Sequence, residues 1–141
     1  MGKGISLDMI ALVLENLKKA GIATYGYLLF GTIWETEEKA RRTLEFTVNH
    51  ADKIDFLNCA IFNLPAHSPE TALVDTKNFY DADLSLYKAF NHQKGWDRSK
   101  VRLFIEREFK KHPLIAPIVR REPFIFTSNH APFFAMAQQT V

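Results

Sequence analysis

The sequence predicts an α/β fold whose first half runs helix, strand, helix, strand, with the two strands parallel. Three observations carry this. Residues 22–30 and 54–62 are largely apolar runs without clean alternation, as strands covered on both faces are. Between them, Ala40, Leu44 and Val48 recur at helical spacing. The connection therefore carries a helix, which is the form a crossover between parallel strands takes.

Each element has its own signals. Ser6 suits an N-cap, and Met9, Ile10, Val13, Leu14 and Leu17 make one apolar stripe behind it. Lys18 and Lys19 fall in the last turn and Gly21 supplies the stop, so residues 7–20 form a helix. A strand follows from Ile22 to Phe30, and Gly31 lets the backbone turn without a Cβ clash. Thr36 caps the next helix, which runs from Glu37 to His50, with Glu37 and Glu38 in its first turn. Asp52 and Lys53 turn the chain into a second strand, Ile54 to Phe62. Ligands of α/β proteins bind in loops beyond the C-terminal strand ends, so residues 31–35 are expected to face the chemistry.

The second half reads less regularly. Residues 63–79, with Pro65 and Pro69, read as loop. Leu84, Tyr87 and Phe90 suggest a short helix over 81–91, broken by Gly95 and Trp96. Asp97 caps a helix reaching Lys111, with Val101, Phe104, Ile105 and Phe109 as its stripe. Pro113 can open a further short helix to Arg121, whose middle Pro117 would strain. Residues 123–134 are aromatic and irregular. The chain divides into a strand-bearing part, 1–70, and a helical, aromatic-rich extension, 71–141.

Composition narrows the function classes. Of 141 residues, 47% are hydrophobic and 24% charged, as in ordinary globular proteins. A net charge of +2 is too small to imply nucleic acid or a membrane surface. Cys59 is the single cysteine, which excludes an intrachain disulfide and points to a reducing cytoplasm. No apolar run approaches the roughly 18 residues of a membrane span, and no signal-peptide pattern opens the chain. The five histidines have no metal-ligand spacing, and neither a phosphate loop nor a nucleophile elbow is present. His67 is either a proton carrier or an exposed loop residue. The basic run from Arg98 to Arg121 could meet RNA, but Glu106 and Glu108 interrupt it and favour a solvated face.

Two parallel strands do not make a sheet that stands alone, and both would be apolar edges. The chain is expected to be part of a larger sheet and to self-associate when isolated.

Met1-Gly2-Lys3-Gly4, the helix ending in Lys18-Lys19-Ala20-Gly21, then Gly26-Tyr27-Leu28-Leu29-Phe30-Gly31 and Glu35-Thr36-Glu37-Glu38 carry a resemblance. In order and spacing this half of the chain resembles the later part of the radical S-adenosylmethionine enzyme core. It is most similar to the Fe-S oxidoreductases found behind a cobalamin-binding domain. The resemblance implies the fifth and sixth strands of a partial (β/α) barrel, followed by an extension. It implies adenine contacts from Leu29, Gly31 and Glu35 on the fifth strand and its loop. From the sixth strand it implies contacts from Asn58, Ile61 and Asn63. Tyr27 stands where the family has glycine, and Glu35 comes one place late; Leu29 also reads as core, and Glu35 as an exposed acid before a helix. The family's Cys-x3-Cys-x2-Cys motif is absent, and one thiolate cannot hold a four-iron cluster. The implied parent uses that cluster, S-adenosylmethionine and, in this subgroup, cobalamin. The chain itself is expected to be an inactive fragment that binds none of them and lacks the N-terminal barrel half as its partner. The alternative is an independent α/β binding module using the basic helix.

Overall fold

In α1 (Leu7–Lys19) the Ser6 hydroxyl accepts from the Met9 N–H at 3.1 Å, and Gly21 closes the helix with a left-handed φ of +67°. This is a computed structural model that describes residues 4–78, 86–92 and 94–121. The predicted stripe exists but none of it is fully buried: Met9, Ile10 and Val13 are 55%, 37% and 48% exposed. Leu14 and Leu17 are half-buried.

The strand β1 (Tyr25–Phe30), the helix α2 (Glu37–Asn49) and the strand β2 (Phe56–Ile61) follow as expected, each strand shorter than its apolar run. The Thr36 hydroxyl caps α2 by accepting from the Lys39 N–H at 3.3 Å. The strands are parallel, in register from Tyr25 opposite Phe56 to Phe30 opposite Ile61. A polar staple sets that register at its start. The Asp55 carboxylate accepts from the Thr24 N–H at 2.8 Å, and the Thr24 hydroxyl donates to the Lys53 carbonyl at 2.9 Å.

Alternation then sorts the strand side chains. Leu28, Phe30, Leu57, Cys59 and Ile61 face the helices, where Phe30, Ala40, Leu57, Val101, Phe104, Phe109 and Ile115 form the core. Phe30 lies edge-on to Phe104 and Phe109, with ring centroids 6.0 and 5.2 Å away. On the other face Tyr27 and Leu29 stay 73% and 46% exposed.

The second half departs from expectation in four places. Residues 63–79 are not all loop: they hold β3 (Leu64–Pro65), a 3-10 turn (Pro69–Leu73) and β4 (Thr76–Asn78). The helix expected over 81–91 is instead a strand in its described part, β5 (Tyr87–Phe90), which pairs antiparallel between β3 and β4. Strands of two to four residues are too short to show a period, and non-local pairing outweighs the local spacing of Tyr87 and Phe90. Pro65 is tolerated because β3 is an edge of its sheet. The extension is therefore mixed rather than helical.

The third departure concerns the predicted helix to Lys111. It is α-helical as α3 (Arg98–Phe104) and continues as a π-helical turn (Ile105–Phe109), closed by the Lys110 N–H on the Ile105 carbonyl at 2.9 Å. Phe109 is buried together with Val101, Phe104 and Ile105, as the stripe predicts. Fourth, the last helix starts late, as α4 (Ala116–Arg120). Pro117 then falls in its first turn, where no backbone donor is missed, and causes no strain. The aromatic run 123–134 lies outside the described residues. A two-stranded parallel sheet and a three-stranded antiparallel sheet result, and among the described residues no barrel closes.

Candidate functional site at the strand ends

Four segments meet where β1 and β2 end: residues 31–35, 61–63, 88–92 and 94–98. Gly31 begins the first with a φ of +76°, a conformation that side-chain-bearing residues rarely adopt. A Cβ there would also lie 3.2 Å from Val101 Cγ2, so the absence of a side chain lets α3 close over the strand end.

Glu35 turns back into this junction and is 8% exposed. Its Oε2 accepts a short hydrogen bond from the Gly31 N–H and a second, at 3.0 Å, from Trp96 Nε1. One carboxylate thus fastens its own loop to the loop before α3. His92 makes a parallel link: Nε2 donates to the Thr32 carbonyl at 3.1 Å, and Nδ1 accepts from the Lys94 N–H at 3.3 Å. That pair of partners specifies the neutral tautomer with its proton on Nε2. From the start of α3, Arg98 Nη1 donates to Asn63 Oδ1 at 2.8 Å and to the Phe62 carbonyl at 3.3 Å. These links enclose a cavity of about 60 Å³ bordered by Gly31, Ile61, Asn63, Phe90, His92 and Arg98.

The residues singled out in the sequence divide between two places. Gly31, Ile61 and Asn63 border the cavity, and Glu35 lies behind it as a structural acceptor. Leu29 and Asn58 project from the opposite, open face, because they occupy the other set of alternating positions. His67 is exposed, away from this junction. Trp96, His92 and Arg98 are the participants that sequence reasoning missed. Their signal was weak: a tryptophan that must place its N–H, next to a helix cap, in a stretch read only as a break.

Two members of the basic run are tied down locally. Lys100 donates to the Gly95 carbonyl at 2.8 Å, and Lys110 pairs with Glu106 at 2.7 Å. Arg41 binds Glu37 on its own helix at 2.8 Å and reaches Glu108 on the π-helical turn at 2.7 Å, with its guanidinium 5.7 Å from the Phe104 ring centroid. Those two carboxylates hold the guanidinium pKa above its ordinary value, Glu108 more than Glu37.

A second, larger concavity lies on the helix-covered side, between α1 and α2 alongside β1. It measures about 580 Å³ and is lined mainly by apolar side chains, among them Leu7, Ile10, Leu14, Leu28 and Phe46. Among the described residues no three His, Cys, Asp or Glu side chains converge to hold a metal. No described helix is long and apolar enough to cross a membrane. Comparison with protein-family models, with characterised proteins and with solved structures finds no match for this chain.

Proposed function

We propose that this chain is the C-terminal part of a larger parallel α/β barrel of the radical S-adenosylmethionine kind, inactive until the rest of the barrel joins it. The observation that carries the reading is the β1–β2 pair. It is parallel and helix-covered on one side, yet open at Tyr27 and Leu29 on the other. Parallel sheets are found with both faces covered, so such a pair belongs to a larger sheet. The order of motifs over residues 1–70 supports the family.

The cofactors of that family do not fit the residues present. A four-iron cluster needs three thiolates besides its open position, whereas the sequence has the single cysteine Cys59, half-buried on β2. The cavity of about 60 Å³ is below the roughly 300–1,000 Å³ of ligand pockets, so a nucleoside does not enter it. The positions left for an adenine are Leu29 and Asn58 on the open face. No reaction step is assigned to this chain. Its own residues supply architecture: Gly31, Glu35 and Trp96 hold the strand ends in place against α3.

The test is to express the chain together with the coding sequence upstream of Met1. The expected outcome is a longer protein carrying the three-cysteine motif, which takes up about four irons and binds S-adenosylmethionine. An upstream sequence in frame without that motif would overturn the reading.

A further inference from the structure

The edge of β1 facing away from β2 has properties that single out what it binds. The Phe56 N–H donates to the Thr24 carbonyl, and the Phe62 N–H to that of Phe30, so the even-numbered residues of β1 direct their main chain toward β2. In a parallel ladder the residues between them point the other way. The N–H and C=O groups of Tyr27 and Leu29 therefore face outward, and β1 has no second neighbouring strand among the described residues.

Natural sheets protect such edges with proline, lysine, charges or bulges. The sequence of β1, Tyr-Gly-Tyr-Leu-Leu-Phe, has no proline and no charge, and its six-residue register runs without a bulge. The apolar groove of about 580 Å³ opens beside this same strand, with Gly26 and Leu28 on its β1 side and Ile10 and Phe46 on the flanking helices.

We propose that the β1 edge and the α1–α2 groove form one docking site for an extended peptide strand. The strand adds parallel to β1 and places large apolar side chains, at alternate positions, in the groove. A hydrocarbon ligand could fill the groove but would leave the four outward main-chain groups of the edge without a protein partner. A helix could not bond those groups at all, since its own backbone is already paired. An added strand satisfies both requirements: main-chain bonds to Tyr27 and Leu29, and alternating side chains for the groove. Parallel addition continues the sheet with its helices on the same side. The inference goes beyond the cofactor reading and holds whatever reaction the completed assembly performs.

The probe is a fluorescein-labelled synthetic decapeptide alternating leucine and threonine. Beside it is a twin N-methylated on the edge that meets β1 when the leucines face the groove. Binding is read by anisotropy, and amide exchange at Tyr27 and Leu29 by NMR. The expected result is binding of the first peptide with slowed exchange at both amides. N-methylation, and separately Ile10→Glu in the groove wall, should each weaken binding by about tenfold or more. Tyr27→Pro should do the same while sparing the β1–β2 bonds, because its lost N–H faces the edge. Equal binding of the two peptides would overturn the proposal. So would no binding at millimolar peptide, or hexadecanoate filling the groove while the peptide fails to bind.

Discussion

Glu35 is the residue whose removal should be felt most. Glu35→Ala leaves the Gly31 N–H and the Trp96 Nε1–H without their acceptor, at a cost of about 1–3 kcal/mol for each buried donor. A loss of roughly 2–6 kcal/mol is expected, with a smaller one for Glu35→Gln, which keeps an oxygen acceptor. Denaturant midpoints measure both, and an alanine variant within about 0.5 kcal/mol of wild type would contradict the link. Asp97 gives a pH prediction. The Ser99 hydroxyl, and after it the Lys100 N–H, donate to its carboxylate and hold its pKa below the ordinary aspartate value. A depressed folded pKa means the cap stabilises fully above the unfolded value, about 3.9, and is lost as pH falls through the folded one. Asp97→Ala should therefore cost about 1 kcal/mol near neutral pH and progressively less below about pH 4. A difference that stays constant through acid unfolding would count against it.

At the scale of elements, α1 and α2 have the same length and comparable caps but unlike surroundings. The helix α2 buries Ala40 and Thr47 and is tied through Arg41 to Glu108, whereas α1 buries no residue. Local opening follows burial, so α1 amides should exchange with deuterium well before those of α2 and β2. Ser6→Ala, which removes the N-cap acceptor, should accelerate that exchange further. Mass spectrometry of exchange resolves the two helices, and equal protection would show that α1 is held by more than its described contacts. A peptide seated in the groove should slow α1 as well.

At the scale of the whole molecule, and among the described residues, β1 has a strand neighbour on one side only, Tyr27 and Leu29 are exposed, and apolar side chains line α1. Surfaces of this kind are rare on monomers, and covering a few hundred Å² at about 25 cal/mol per Å² offers several kcal/mol before association entropy is subtracted. Self-association at micromolar concentration is expected by light scattering, and a clean monomer at that concentration would contradict it. Anaerobic reconstitution with iron and sulfide should leave the isolated chain colourless, because one cysteine supplies one thiolate. Stable brown protein carrying about four irons per chain would refute that.

The first half of the fold was legible because its signals are local. Ser6, Thr36 and Asp97 announced helix starts through the side chain that must satisfy orphan N–H groups, and the run of apolar residues marked both strands. What tertiary structure decided is whatever depends on a distant partner. The strand identity of Tyr87–Phe90 exists only because β3 and β4 lie on either side of it. Glu35 looked like an exposed acid until Trp96, 61 positions away, supplied the donor that lets it stay buried. Alternation put Leu29 and Ile61 on opposite faces once the register was set. The stripe on α1 is legible from its spacing, but whether a stripe becomes core depends on what packs against it, and that information lies outside the stripe itself.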